Sequence, residues 1–282
     1  MIVDFHTHTF PEAIAASAVD KLQSASHTHP FTDGTVGQLR ASMTVAGVDA
    51  SLVLPVATAA RQVEHVNDAS IRMNDRGKET GVYSFGCMHP DFAGWHEELA
   101  RIARAGIRGI KIHPPYQQVD FDDPRYLRIL ERAGELKLLV ITHAGLDVGL
   151  PGRRDAVPEK LLRALRAVGS VQLVLAHMGG WRCWQEAARL LAGTGVYLDT
   201  SFSLGPMTAN GDGYYTPDAL ERLDAASFVS MIRLFGADHI LFGTDSPWED
   251  QKRELAKIRA LPLTGEEKES ILGRNAEKLL FS

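Results

Sequence analysis

The sequence predicts an α/β chain folded as a single-domain (β/α)8 barrel, the TIM-barrel architecture, over residues 1–282. Three observations predict it. Eight short apolar runs recur along the chain, segments of helical periodicity separate them, and six of the 11 histidines fall at the ends of those runs. Barrels of this kind carry their catalytic side chains at the C-terminal ends of the strands, so the third observation bears on function as well as on fold.

The runs cover residues 2–5, 51–56, 82–88, 107–112, 138–142, 171–176, 196–199 and 240–243. Each is short and mostly β-branched or aliphatic, as strands buried on both faces are. Helical spacing marks 62–79, Trp95-Leu99-Ile102, Leu127-Leu130-Leu136, Leu161-Leu162-Leu165-Val168, 219–235 and Leu255-Ile258-Leu261, and a C-terminal helix is expected over 264–282. Strands alternating with helices imply right-handed parallel β-α units. An open doubly wound sheet would instead place a glycine-rich phosphate turn after an early strand. The turn here reads His6-Thr7-His8-Thr9-Phe10. The stretch 24–37, rich in Ser, Thr, Gly and His, is expected to be an insertion loop, and 201–217, with Gly205, Gly211 and Gly213, a loop with the makings of a lid.

Composition narrows the function classes. Hydrophobic residues make up 45% and charged residues 23%, as in an ordinary globular chain. The formal net charge of -5 counts against broad nucleic-acid binding, which needs a basic face. Cys87 and Cys183 lack metal or redox spacing and are expected as reduced thiols. The N-terminus has no basic region ahead of an apolar stretch, and no run approaches membrane-spanning length. The expected location is therefore the cytoplasm, and the expected partner a small-molecule substrate rather than nucleic acid or membrane. No motif demands an oligomer, although a homodimer is the commonest symmetric assembly.

Residues two apart on a strand share a face. His6 and His8 thus point one way, with Asp4 one step deeper, while Val3 and Phe5 point the other way. Gly109, Lys111 and His113 share a face at the end of the fourth run, and Leu241, Gly243 and Asp245 line up on the eighth. His143 ends the fifth run and His177 the sixth; His89 and Asp199, ending the third and seventh, are candidates to line the pocket. Alone, His143 or His177 reads equally well as a core histidine; together at adjacent strand ends they read as ligands. The chain holds its own control. His27-Thr28-His29 repeats the His-x-His pattern in a polar loop with no apolar run before it, and is expected to be plain surface. Asp245 has two readings, an N-cap before Ser246-Pro247 or a metal ligand, and the ligand reading is preferred. Lys111 on an interior face needs an ion pair, an anionic substrate or a catalytic role to offset its burial. Arg153-Arg154 is a candidate clamp for an acidic substrate, with a solvated charge pair as the plainer reading. Phe10, Tyr116, Trp181, Tyr214 and Trp248 follow strand ends or lie in long loops, where they could stack on a planar substrate or merely cap helices.

Five motifs in this order resemble the amidohydrolase superfamily. They are Asp4-Phe5-His6-Thr7-His8, Gly109-Ile110-Lys111-Ile112-His113-Pro114, Thr142-His143, Ala176-His177-Met178-Gly179-Gly180 and Gly243-Thr244-Asp245-Ser246-Pro247. More narrowly, with the closing Gly273-Arg274-Asn275-Ala276-Glu277-Lys278-Leu279-Leu280, they resemble its amidohydrolase-related branch, which includes aminocarboxymuconate-semialdehyde decarboxylase-like proteins. The resemblance spans the chain. It implies that His6, His8, His143 and Asp245 bind the metal and that His177 contacts the activated water or the substrate. It also implies that Lys111, if carboxylated, would bridge a second metal. Lysine at this place is also usual in one-metal members, so one metal is expected, with Lys111 and His113 as groups for a second metal or for substrate.

Neutral imidazoles plus a carboxylate suit Zn2+, with Mn2+, Fe2+ and Co2+ as other fits. The ion lowers the pKa of a water toward neutrality, Asp245 accepts its proton as general base, and His177 polarises the scissile carbonyl. The reaction expected first is hydrolysis of an amide, lactone or related bond, because the chain is short and its loops are modest. The alternative is non-oxidative decarboxylation of a small aromatic or dienoic acid by nearly the same ligand set. A metal-dependent nuclease of the TatD type is disfavoured, since Gly109-Ile110-Lys111 supplies no carboxylate at the fourth strand. A non-enzymatic scaffold would leave the clustered ionisable groups without a purpose.

Overall fold

A computed structural model describes residues 1–281. The described residues form nine strands: β1 (Val3–Thr7), β2 (Ala50–Val53), β3 (Val82–Ser84), β4 (Gly86–Cys87), β5 (Gly109–Ile112), β6 (Leu139–Thr142), β7 (Leu173–Leu175), β8 (Tyr197–Asp199) and β9 (Ile240–Leu241). Each expected run coincides with a strand, the third being divided at Phe85 into β3 and β4. The chain clusters into two compact units.

One unit takes residues Met1–Val53, Val148–Leu150 and the chain from Asp199 onward. Here β1 pairs with β2 in parallel, Val3 opposite Ala50 and Thr7 opposite Val53. On its other side β1 takes the segment after β9: Phe5 N donates to Phe242 O, Asp245 N to His6 O and His8 N to Ser246 O, at 2.7–2.8 Å. Two helices lie between β1 and β2, α1 (Glu12–Ser26) and α2 (Val36–Ala46), neither of which the periodicity announced. Their signal is faint because α1 buries only Ala15, Val19 and Ser26, and α2 only Leu39 and Met43, so no broad apolar stripe is needed. His27 ends α1 in the left-handed region, and the Thr35 hydroxyl caps α2 by accepting from Gln38 N. Non-helical backbone between them is therefore confined to 27–35, within the stretch 24–37. The expected helix 219–235 is two helices, Pro217–Leu220 and Ala225–Phe235, because Asp224 caps a fresh start by accepting from Ser227 N. The chain closes through Gly265–Glu269, a π-helical turn Ser270–Arg274 and Asn275–Leu280, inside the expected 264–282 apart from Ser282, which lies outside the described residues. This segment is fastened to β9 by Asn275 Nδ2, which donates to Ile240 O at 2.7 Å.

The other unit takes Leu54–Asp147 and Pro151–Leu198. It is a run of parallel pairings from β4 through β5, β6 and β7 to Tyr197-Leu198 of β8, with Lys111 opposite both Cys87 and Ile141. Amphipathic helices Trp95–Arg104, Pro124–Glu135 and Pro158–Ala167 bury Leu99, Ile102, Ile129, Leu130 and Leu161. The helix Trp184–Leu191 was not expected. Among the described residues no helix is long and apolar enough to cross a membrane.

Candidate functional site

The first cluster grows out of β1. Its five residues are all buried, so alternation separates an apolar set, Val3 and Phe5, from a polar set led by Asp4 and His6. Asp4 accepts from Thr244 N and His6 N through one oxygen, and from Thr244 Oγ1 and Gln251 Nε2 through the other, at 2.6–3.2 Å. Complete burial outweighs these bonds and pushes its carboxyl up to about 6. Asp4 thus pins the residue before Asp245 to β1. Gly243 permits the approach, since a Cβ there would lie 2.8 Å from His6 Cβ.

His6, His8 and Asp245 converge. His6 Nε2 lies 3.1 Å from His8 Nε2, and Asp245 Oδ1 lies 3.3 Å and 3.1 Å from those two nitrogens. The other ring nitrogen of His6 faces Asp199 Oδ2 at 2.7 Å and Ser201 Oγ at 3.0 Å. A carboxylate can only accept, so the proton sits on Nδ1 and the Nε2 lone pair points into the cluster. Metal–ligand bonds of ~2.1 Å at right to tetrahedral angles put donor atoms roughly 3.0–3.4 Å apart, and the three donors here have that spacing. The donor set therefore fits a divalent cation. Asp245 holds a left-handed backbone (φ 69°), a conformation costly for most non-glycine residues and frequent at functional sites. The N-cap reading of Asp245 fails, because the following helix Gln251–Ala260 starts later and is capped by Asp250.

The second cluster lies in the other unit. His113 and His143 stack at 4.5 Å between centroids, and Asp147 Oδ2 is 3.5 Å from His113 Nε2 and 3.8 Å from His143 Nδ1. His143 Nε2 donates to Leu146 O at 2.9 Å, which leaves Nδ1 as the acceptor. His113 caps the short helix Pro114–Gln117, its Nδ1 accepting a long 3.5 Å bond from Tyr116 N. His177 sets its ring edge against His143 at 4.8 Å and, with Met178, takes a left-handed backbone after β7. Gly145 lets this corner close: a Cβ would meet Trp181 N at 2.3 Å, and Trp181 N donates to Ala144 O. Beneath it, Gln117 donates to Ala57 O and Met88 O and accepts from His113 N and Tyr126 Oη.

Other sequence candidates find local roles. Lys111 is 1% exposed on β5. His89 Nδ1 accepts from Asp91 N, and burial lowers its pKa. Asp199, expected to line a pocket, is fully buried and backs His6 instead. Arg153 forks onto Asp155 at 2.6–2.7 Å, the charge-pair reading. Tyr214 stacks on His27 at 3.7 Å, and His27 Nδ1 bonds Asp212 at 2.6 Å, so the control His-x-His is tied up in a loop contact. The loop 201–217 is fastened by the Thr28–Ala209 bridge and by Tyr215 Oη donating to Ser26 O. Sequence reasoning missed Ser201 and Asp147; the available signals were Ser201 two residues past Asp199 and Asp147 four past His143.

Three solved structures place the fold. An uncharacterised TIM-barrel protein from Bordetella bronchiseptica superposes with a TM-score of 0.73 at 18% identity, over 99% of this chain and 98% of the other. For 5-carboxyvanillate decarboxylase from Sphingomonas paucimobilis the figures are 0.67, 17%, 99% and 98%. For dihydroxybenzoic acid decarboxylase from Polaromonas sp. JS666, holding manganese and the inhibitor 2-nitroresorcinol, they are 0.65, 16%, 99% and 96%. These likenesses establish the expected (β/α)8 barrel. No curated protein sequence matches the chain. The amidohydrolase family profile matches residues 3–281. That match covers nearly the whole chain and includes every motif that carried the resemblance, so the chain belongs to the amidohydrolase family.

Proposed function

We propose that this enzyme uses a divalent metal held by His6, His8 and Asp245 to decarboxylate a small aromatic or dienoic acid without oxidation. The observation that carries the metal reading is the 3.1–3.3 Å donor triangle with a carboxylate behind His6. The choice of reaction is supported by barrels of the same fold that are decarboxylases, one of them with manganese bound. A short chain is no mark of hydrolysis over decarboxylation, since the likeness to the decarboxylases runs end to end in both chains.

When bound, the ion would supply a Lewis-acid anchor for the carboxylate and a neighbouring oxygen of the acid. Asp199 and Ser201 hold the His6 tautomer. Losing CO2 leaves an electron pair on carbon, and a protein acid must deliver a proton there. Asp245, set by its left-handed backbone, is the group proposed for this in the first unit; as an ionised carboxylate it must first take up a proton, from solvent or from the acid substrate, before it can pass it to carbon. His177 is proposed as the second acid–base group. Hydrolysis stands as the second reading, favoured by the family's own description. There Asp245 takes a proton from water instead. The test is a panel of hydroxybenzoates, dienoic acids and lactones assayed for CO2 release and ring opening, with His6→Ala and Asp245→Asn alongside. CO2 release lost in both variants is expected. Lactone opening without CO2 would replace decarboxylation by hydrolysis.

A further inference from the structure

Arg222 follows the helix Pro217–Leu220, and its side chain is 0% exposed. Its Nε donates to Gly205 O at 2.7 Å, and its Nη2 to Leu204 O and Pro206 O at 3.1 Å each. Nη1 lies 2.6 Å from Glu249 Oε1, and the guanidinium lies over the Phe202 ring. Three consecutive carbonyls therefore converge on one cation. Leu204 O also accepts from Lys257 Nζ, which pairs with Glu254. Burial and the charge of Glu249 push Glu254 up to about 7, which marks the surroundings as dry.

The ends of this network fall just beyond the metal centre's own groups in sequence. Leu204 is three residues after Ser201, and Glu249 is four after Asp245. Buried ion pairs of this kind are seldom worth more than a well-packed apolar replacement, and fixing one arrangement is a role they serve in some proteins. Ligands and their supporting groups must be held to about 0.5 Å for a site to work.

We infer that Arg222 and Glu249 are positioning residues, a buried clamp that holds the segment bearing Asp199 and Ser201 and the segment bearing Asp245 in register for metal binding. This rests on the metal reading proposed above. The test titrates the metal-free full chain with Zn2+ against a chromophoric chelator and records thermal midpoints. Wild type is compared with Arg222→Met, Arg222→Met/Glu249→Leu, and Leu161→Ala, a core truncation in the other unit. Arg222→Met is expected to weaken Zn2+ binding about tenfold, at the low end for outer partners of a metal site. The double variant, which leaves no buried carboxylate facing a lost cation, should regain thermal midpoint yet bind Zn2+ as weakly as the single. Leu161→Ala should lose thermal midpoint and keep wild-type affinity. Should Arg222→Met fail to fold, the double variant carries the test. Wild-type affinity in the double variant, or equal weakening in Leu161→Ala, overturns the clamp alone. No Zn2+ uptake by wild type overturns the metal reading and the clamp together.

Discussion

His6 presents one ring nitrogen to a buried carboxylate, Asp199, whereas His143 presents one to a backbone carbonyl, that of Leu146. Both contacts fix a tautomer and raise the basicity of the opposite nitrogen, the charged carboxylate more than the neutral carbonyl. His113 differs again, because accepting from Tyr116 N assigns its proton to Nε2, the nitrogen facing Asp147. Spacing follows the same division, 3.1–3.3 Å in the first cluster against 3.5–3.8 Å in the second. The support beneath also differs: charged groups, Asp4 and the Arg222–Glu249 pair, in one unit, and the neutral amide of Gln117 in the other. Two sets of the same residue types, each offering donor atoms that could hold a metal ion, are thus supported differently.

The strongest way to break this contrast is to remove the first donors. His6→Ala/His8→Ala should lose its metal, measured by plasma mass spectrometry, and more than about a hundredfold of turnover, since outer partners alone account for 10–100-fold. Metal content unchanged in that variant would overturn the assignment. His143→Ala, run beside it, tests the fourth ligand implied by the family resemblance. Asp199→Asn keeps the shape behind His6 but removes the charge, and should cost ~10–100-fold in metal affinity by chelator competition. Asp147→Asn should change that affinity by less than about threefold, because Asp147 Oδ2 stands 3.5 Å from His113 Nε2 and 3.8 Å from His143 Nδ1; an effect as large as that of Asp199→Asn would erase the distinction.

Gln117→Leu should lower stability by about 3 kcal/mol in urea titration, because buried carbonyls of Ala57 and Met88 lose their donor. Metal content should be unaffected. The smallest effect is a slope. Glu254 carries a folded-state pKa raised from 4.5 to about 7, so the folded state binds the extra proton between those values. Its contribution to stability is complete below 4.5 and is lost as pH rises through about 7. Stability of wild type should therefore fall over that window relative to Glu254→Gln, and parallel profiles would remove Glu254 as the titrating group.

Much of this molecule was legible beforehand. The eight apolar runs located the strands, because residues buried on both faces leave an uninterrupted hydrophobic signature. His6 and His8 were legible as a pair by alternation and Asp245 by its strand-end placement, whereas the four-residue set joining them with His143 came from the family resemblance. The helices α1 and α2 were not, since helices that bury only two or three residues each need little apolar periodicity. Nor was the place of Asp199 behind His6, because a residue that backs a ligand carries the same signature as one that lines a pocket.

The sequence by itself determined the α/β rhythm, the family motifs and which histidines stand at strand ends. Those follow from short-range periodicity, which the chain expresses within a few residues. Tertiary structure alone decided that Asp199 and Ser201 stand behind His6, that Asp147 joins His113 and His143, and that Arg222 meets Glu249. His6 and Asp199 are 193 residues apart in sequence, and no local pattern encodes a contact that exists only once distant strands are brought together.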